Sequence, residues 1–232
     1  MSTIQQKRLF HRLLAHHLPL FIFSAVSVFL LYFTRPSRDV ITKISFATAY
    51  PALVLLAATL LIGPWNLLRG KRTPTSSDWR RDVGIWAGTL GLVHTAIGQT
   101  VHLRGRPWLY YIYEPGKGHI FPVRHDQFGF ANYTGLVSAL ILLLLLATSN
   151  NYSLRALGTQ RWKQLQRWNY LAFALMGMHA IGYQINEKQK APFVATVVIS
   201  IAVTLVLQAA GFRWRRMQAL ERSGPGLAAE AD

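Results

Sequence analysis

Two histidines lie deep inside apolar segments of this sequence, where an imidazole is a candidate ligand for iron. His94 lies in residues 83–103 and His179 in residues 168–185. As helices, segments of about twenty residues cross a hydrocarbon core of about 30 Å. Counted from Arg81 and Arg167, the two imidazoles lie about 19 Å and about 18 Å along their helices at a rise of about 1.5 Å per residue. Both helices run in the same direction, so we expect the imidazoles to meet at one depth, slightly beyond the membrane midplane.

Two neutral imidazoles that face each other in a helix bundle are the axial ligand set of a b-type haem. We therefore predict that His94 and His179 bind haem iron, and that Gly91 and Gly98 leave room for the porphyrin. A bare metal ion is a weaker alternative, because no Asp or Glu lies inside a predicted span to complete its ligand set. The glycines are also typical of a small-residue packing seam, in which His94 would only bond across a helix interface.

A third histidine, His102, lies on the same face of its helix as His94 and about 12 Å further out. It could contact the haem propionates, ligate a second haem, or be an interfacial histidine without a cofactor. The cations that could contact the propionates beside it are Arg104, Arg106 and Arg124. The connection over residues 104–127 is long and aromatic, so we expect it to fold over the outer mouth of the bundle. Its histidines, His119 and His125, are expected to be solvated.

The composition is that of a membrane protein. Of the 232 residues 51% are hydrophobic, and the net charge of +16 comes from basic residues placed between membrane-length apolar runs. The charge therefore indicates topology and not a nucleic-acid partner. The absence of cysteine excludes thiolate ligands, disulfides and c-type haem attachment.

Six apolar runs predict an all-α, polytopic membrane protein with a six-helix bundle. They cover residues 13–33, 46–68, 83–103, 128–148, 168–185 and 191–212. Sixteen Lys and Arg residues fall on the side of the two termini and nine on the other side, so both termini are expected to be cytoplasmic. The predicted organisation is a cytoplasmic segment over residues 1–12, a haem-binding membrane domain over 13–212, and a basic, then disordered, cytoplasmic tail over 213–232.

Two stretches resemble the ferric-reductase-like transmembrane domain family. Residues 148–184 contain its Thr-Ser helix end, its Arg-x-Leu-Gly turn, its Trp-Lys-x-Leu run and a following histidine, and the matching residues are Arg155, Leu157, Gly158, Trp162, Leu165, Tyr170 and His179. Residues 80–98 resemble the third helix of the family, with Arg81, Gly84 and His94 in register. With the apolar run before them, the resemblance extends over most of residues 46–212.

The short form without a fused flavin and nicotinamide domain is similar to the haem-binding membrane subunits of bacterial methionine-sulfoxide-reductase systems. This resemblance implies a multi-pass protein of the bacterial inner membrane that passes electrons from the cytoplasmic side, or from quinol, through haem b to an outer acceptor. One position departs from the family pattern. Gln166 stands where the family commonly has a histidine, and an amide is a poor haem ligand, so we expect one haem.

The leading hypothesis is thus a haem-containing electron carrier, an oxidoreductase component that contributes no catalytic residue of its own. No nucleotide-binding fingerprint is present, so the electron must come from a cytoplasmic flavin reductase, bound FMN or a membrane quinol. The partners expected are membrane lipid and a redox protein, either a periplasmic reductase or a cytoplasmic flavin reductase. One alternative is a stand-alone ferric, cupric or oxygen reductase component. An alternative of another class is a non-redox transporter that uses the histidine pair as a proton relay.

Overall fold

The computed structural model describes residues 3–71, 78–116 and 118–222, and in this part of the chain the regular structure is helical. Eight α-helices are formed: α1 (Thr3–Arg12), α2 (Leu18–Thr34), α3 (Val40–Leu68), α4 (Asp78–Val101), α5 (Gln127–Ala147), α6 (Asn151–Gln166), α7 (Trp168–Asn186) and α8 (Ala191–Arg222). A π-helical turn, Leu13–His17, joins α1 to α2 in one continuous rod. Two short 3₁₀ helices, Leu103–Gly105 and Pro107–Tyr110, follow α4. The all-helical class predicted from the sequence is confirmed.

The central helix of the bundle is α3, which packs against α2, α4, α7 and α8. Its apolar side chains are buried nearly all round, including Leu53, Leu56 and Leu60. A helix that is apolar on every face belongs in the interior of a bundle. On the other side of the site, α5 packs against α4 and α7. The helices that carry His94 and His179, α4 and α7, are therefore held between α3 and α5.

Much of the outer surface of the bundle is apolar. Large side chains of α2 and α8 point outward, among them Phe21, Phe29, Phe33, Val206 and Phe212. By length and composition, four helices are able to cross a membrane: Gln6–Thr34, Val40–Leu68, Gln127–Ala147 and Ala191–Leu220. Each of the six predicted spans lies within or largely within one helix, but α4 and α7 are more polar than the other four. Their polar residues include those that line an internal cavity.

The two ends of the bundle differ in composition. At one end, called here the basic end, Arg12 of α1 contacts Asp82 near the start of α4. Arg215 in the last third of α8 lines the same cavity as Asp78 at this end. The opposite end, called the loop end, carries the connection between α4 and α5. The first and last helices thus have their terminal ends on the same side. The last helix continues past residue 212 to Arg222, while the predicted disorder of residues 223–232 lies outside the described residues.

Helix α1 is fastened to α4 by a carboxylate that is fully buried. The guanidinium of Arg12 donates to both oxygens of Asp82, through Nε at 2.8 Å and through a second nitrogen. The same carboxylate lies 2.7 Å from His16 Nδ1 and 3.5 Å from His17 Nε2. Consecutive residues of an α-helix point about 100° apart. Because the π turn widens the helix at this point, both histidines contact one carboxylate.

We predict that Asp82→Asn destabilises the protein, because the substitution leaves Arg12 without its counter-charge. Removal of one partner of a buried ion pair costs about 3–5 kcal/mol, and the partial exposure of Arg12 places the expected loss at the lower end of that range. The thermal unfolding midpoint in detergent should fall clearly. The control Asp78→Asn, at an exposed position one turn earlier, should change it little. Equal midpoints for the two variants would contradict the role given to Asp82.

Candidate functional site

The imidazoles of His94 on α4 and His179 on α7 lie face to edge inside the bundle. Their ring centroids are 6.0 Å apart and their planes are inclined by 69°. The two side chains therefore meet inside the bundle, as the sequence predicted, while their depth in the membrane stays a prediction. When two imidazoles bind one metal ion, their ring centroids lie about 6 Å apart. This distance is the sum of two metal–nitrogen bonds of about 2 Å each and the half-widths of the two rings. The observed separation suits a pair of axial ligands.

Backbone carbonyls fix the orientation of both imidazoles. His94 Nδ1 lies 2.9 Å from the carbonyl oxygen of Ser45 on α3, and His179 Nδ1 lies 2.8 Å from that of Ala131 on α5. A carbonyl oxygen only accepts, so each imidazole donates its Nδ1–H and keeps the lone pair of Nε2 free to bind iron. Such a hydrogen bond is the usual second contact of a metal-ligating histidine.

A cavity of about 160 Å³ adjoins the two imidazoles, and Gly91 and Gly98 line it as expected. Among the glycines that line this cavity, Gly135 on α5 leaves the least room for an added methyl group. A methyl group at Gly135 would lie 2.5 Å from His179 Nδ1, closer than any van der Waals contact. The sequence analysis missed Gly135, because a single glycine in an apolar run does not show which side chain packs over it.

The mouth of this cavity opens at the loop end and is polar. Of the four residues considered as propionate contacts, His102 lines the cavity, whereas Arg104, Arg106 and Arg124 are not among the lining residues. Arg124 instead pairs with Asp126 at 2.8 Å and lies over the rings of Tyr113 and Phe128.

Two charged residues that the sequence analysis did not single out, Arg35 and Glu187, also line the mouth. Both residues lie just after the end of a predicted span, the first and the fifth. This position in the sequence is the signal by which they can be assigned to this end of the bundle.

The connection after α4 covers the loop end of the cavity, as its length and aromatic content predicted. Tyr110 is buried there; its hydroxyl donates to the carbonyl of Gly98 at 2.9 Å and accepts from the backbone N–H of His102 at 2.7 Å. Burial raises the pKa of the Tyr110 hydroxyl, so it stays protonated and able to donate. His119 stacks on Tyr113 with ring centroids 3.6 Å apart and does not reach the cavity.

A second and larger cavity, of about 680 Å³, lies at the basic end between α3, α4, α5, α6, α7 and α8. Its wall carries five cationic side chains and one carboxylate: Arg80, Arg81, Lys163, Arg167, Arg215 and Asp78. Gln166 also lines it, and within the part of the chain that the structure describes the amide nitrogen of Gln166 is buried without a hydrogen-bond partner. No histidine is found among the described residues of this wall.

The cavity of about 160 Å³ beside His94 and His179, called here the outer cavity, has a lining whose chemistry fits haem better than a bare metal ion. In the described ranges, no group of three or more His, Asp or Glu side chains is arranged so that it could hold a metal ion. The two imidazoles present free Nε2 atoms, and the walls are mostly apolar, with Leu53, Leu142 and Val197 among them. A planar, largely apolar cofactor that needs two axial nitrogens matches this donor set.

Comparison with known proteins identifies relatives over most of the chain. The haem-binding subunits MsrQ of protein-methionine-sulfoxide reductase from Yersinia pseudotuberculosis serotype O:1b (strain IP 31758) and from Yersinia pestis (strain Pestoides F) are each 31% identical to it over 173 residues. The matched region is 74% of this chain and 76% and 75% of the two relatives. No family model matches the sequence.

We predict that Gly135→Ala lowers the haem content of the purified protein to less than half, because the added methyl group must displace the imidazole of His179. The matched control is Gly88→Ala, whose methyl group would meet Leu146 at 3.7 Å, an ordinary contact. Haem-to-protein ratios from pyridine haemochrome spectra make the comparison. A Gly135→Ala protein with a full haem complement would contradict the close packing described for His179.

Proposed function

This chain belongs to the family of MsrQ, the haem-binding subunits of protein-methionine-sulfoxide reductase, and we propose that it carries electrons across the bacterial inner membrane through one haem b held by His94 and His179. The observation that carries the proposal is the pair of imidazoles inside the bundle, 6.0 Å apart, each with its Nδ1 bound to a carbonyl. Haem, when bound, supplies the one-electron chemistry.

The protein sets the properties of this centre through its own side chains. The carbonyls of Ser45 and Ala131 increase the electron-donating strength of the two imidazoles and hold their orientation. Apolar walls from α3, α5 and α8 keep water away from the iron site. Tyr110 covers the cavity at the loop end. The polar mouth on that side is the proposed exit for the electron.

We further propose that all six long helices cross the membrane with both termini in the cytoplasm. Four are apolar enough by composition alone, and the other two, α4 and α7, place polar side chains in the outer cavity instead of in lipid. The positive-inside rule assigns the basic end to the cytoplasm. The histidine pair then lies nearer the outer face, which suits transfer to an acceptor outside.

The basic-end cavity supports the proposals for the electron donor. Its wall contains no histidine in the described residues, and Gln166 stands at the position where related domains commonly have one, so a single haem is favoured. Five cations around this cavity suit the phosphate of FMN, delivered by a cytoplasmic flavin reductase, more than they suit an uncharged quinol. A quinol donor remains the second candidate.

The acceptor we favour is a periplasmic reductase, since the relatives are named as subunits of a methionine-sulfoxide reductase. Ferric or cupric chelates and dioxygen are the alternative acceptors for a stand-alone reductase component. A non-redox transporter that uses the histidine pair is the alternative of another class, and it predicts a protein that holds no haem.

We predict that His94→Ala and His179→Ala each abolish haem binding, because each removes one axial nitrogen. Gln166→Ala should leave the haem in place, since Gln166 lines the other cavity. Absorption spectra of oxidised and dithionite-reduced protein, with a haem-to-protein ratio, test both statements. Sharp low-spin bands at a ratio near one support the proposal. A full complement in both histidine variants would contradict the ligand assignment, and no haem in the reconstituted wild type would favour the transporter.

The phosphate proposal predicts that FMN binds more tightly than riboflavin, which lacks the phosphate. The double variant Lys163→Gln/Arg167→Gln should weaken FMN binding about tenfold, because both cations line the cavity, and should leave riboflavin unaffected. Arg155→Gln/Arg161→Gln removes two neighbouring charges outside the cavity wall and is the control. Flavin fluorescence titration measures all three proteins. Equal affinities for FMN and riboflavin would favour the quinol donor.

A further inference from the structure

The mouth of the outer cavity is closed by a cluster of four polar side chains, which we call the mouth cluster: Arg35, His102, Glu187 and Gln189. They come from three separate places in the chain, the residue after α2, the residue after α4 and the turn between α7 and α8. One guanidinium nitrogen of Arg35 donates to Glu187 Oε2 at 2.9 Å and the other to Gln189 Oε1 at 3.2 Å. His102 Nε2 lies 3.4 Å from Glu187 Oε1. All four line the cavity that holds His94 and His179.

Backbone strain is concentrated beside this cluster. Leu103, Arg104 and Lys188 have φ angles of 58°, 55° and 46°, and they are the non-glycine residues with positive φ in the described part of the chain. Leu103 directly follows His102, and Lys188 directly follows Glu187. A non-glycine residue in this region costs of order 1–3 kcal/mol and persists where the surrounding structure requires it. Here the two turns place a histidine and a carboxylate opposite each other at the mouth.

Glu187 is the one carboxylate among the described residues that line the outer cavity. Each of its oxygens has a partner, Oε2 with Arg35 and Oε1 with His102. Arg35 and His102 therefore form a site for a carboxylate group at the edge of a largely apolar cavity. The planar fork of Arg matches carboxylate geometry, and hydrogen bonds of this charged type are among the strong ones.

Haem b carries two carboxylate groups on one edge, and in an apolar cavity these groups must face the polar mouth. We propose that Arg35 and His102 hold a haem propionate, and that Glu187 occupies the same site as an internal carboxylate which the propionate displaces. The proposal rests on the proposed function; it keeps His102, which the sequence indicated as a propionate contact, and adds Arg35 and Glu187, which the sequence did not indicate. The propionate site and a purely structural ion pair predict different effects of the two residues. In the propionate site, Arg35 should favour haem retention and Glu187 should oppose it.

The experiment measures haem dissociation from the purified holoprotein into excess apomyoglobin. Arg35→Gln should release haem about 10–100-fold faster, the range expected when a charge-assisted hydrogen bond is lost. Arg35→Lys should be intermediate, because it keeps the charge and loses the fork. Glu187→Gln should release haem more slowly, by about 3-fold or more, because the competing carboxylate is removed. Arg38→Gln, an exposed charge three residues from Arg35, should stay within about twofold of the wild type.

The outcomes separate the proposal from its alternatives. If Arg35→Gln and Glu187→Gln both accelerate release, the two residues form only a structural ion pair and the proposal is overturned. It is also overturned if Arg35→Gln matches Arg38→Gln, or if Glu187→Gln leaves the rate unchanged. A wild type that holds no haem after reconstitution refutes the proposed function itself, whereas normal wild-type haem with an unaffected Arg35→Gln refutes the propionate site alone.

A second measurement does not depend on release rates. The midpoint potential of the haem should fall in Arg35→Gln, because loss of a nearby positive charge favours the ferric state, and should rise in Glu187→Gln. Circular dichroism and size-exclusion chromatography establish that each variant is folded. Shifts of the same sign in the two variants would contradict the opposite electrostatic roles of Arg35 and Glu187.

Discussion

Hydrogen bonds from two imidazoles to backbone carbonyls set the geometry on which the rest of the site depends. The carbonyl oxygens of Ser45 and Ala131 lie inside helices, where each is normally engaged by the helix itself, but a carbonyl oxygen has two lone pairs and accepts a second donor. In a membrane, a polar side chain without a partner is costly. These bonds therefore do two things at once: they stabilise the buried histidines, and they leave the Nε2 atoms free as ligands.

Helices α4 and α7 are more polar than the other long helices because they line the cavity around the two imidazoles. Both helices place polar residues in the outer cavity, and their neighbours α3 and α5 provide the carbonyls. Gly135 lets α5 approach α7 so closely that the imidazole of His179 lies against its backbone. The most apolar helices of the bundle, by contrast, provide its buried centre and its lipid-facing surface. The cavity exists because two moderately polar helices are enclosed by more apolar ones.

The first rod, α1 and α2 with the π turn, contributes little to the core and exposes much of its apolar surface. Two charged contacts fasten it: Arg12, at the junction of α1 and the π turn, with Asp82 at the basic end of the bundle, and Arg35, directly after α2, with Glu187 at the loop end. Each contact joins the rod to one of the two helices that carry the histidines, α4 in the first case and the end of α7 in the second. A peripheral helix thereby takes part in the geometry of the site.

The sequence by itself determined the helices and the depth of the histidines. Lipid permits only fully hydrogen-bonded segments, so apolar length fixes where helices lie, and counting along them placed His94 and His179 at one level. It did not determine which side chains surround the mouth, where Arg35 and Glu187 lie in place of Arg104 and Arg124. That choice depends on how each helix is rotated about its axis and on turns with positive φ after His102 and Glu187. Only tertiary packing fixes these quantities, because periodicity in an almost uniformly apolar helix leaves its rotation undefined.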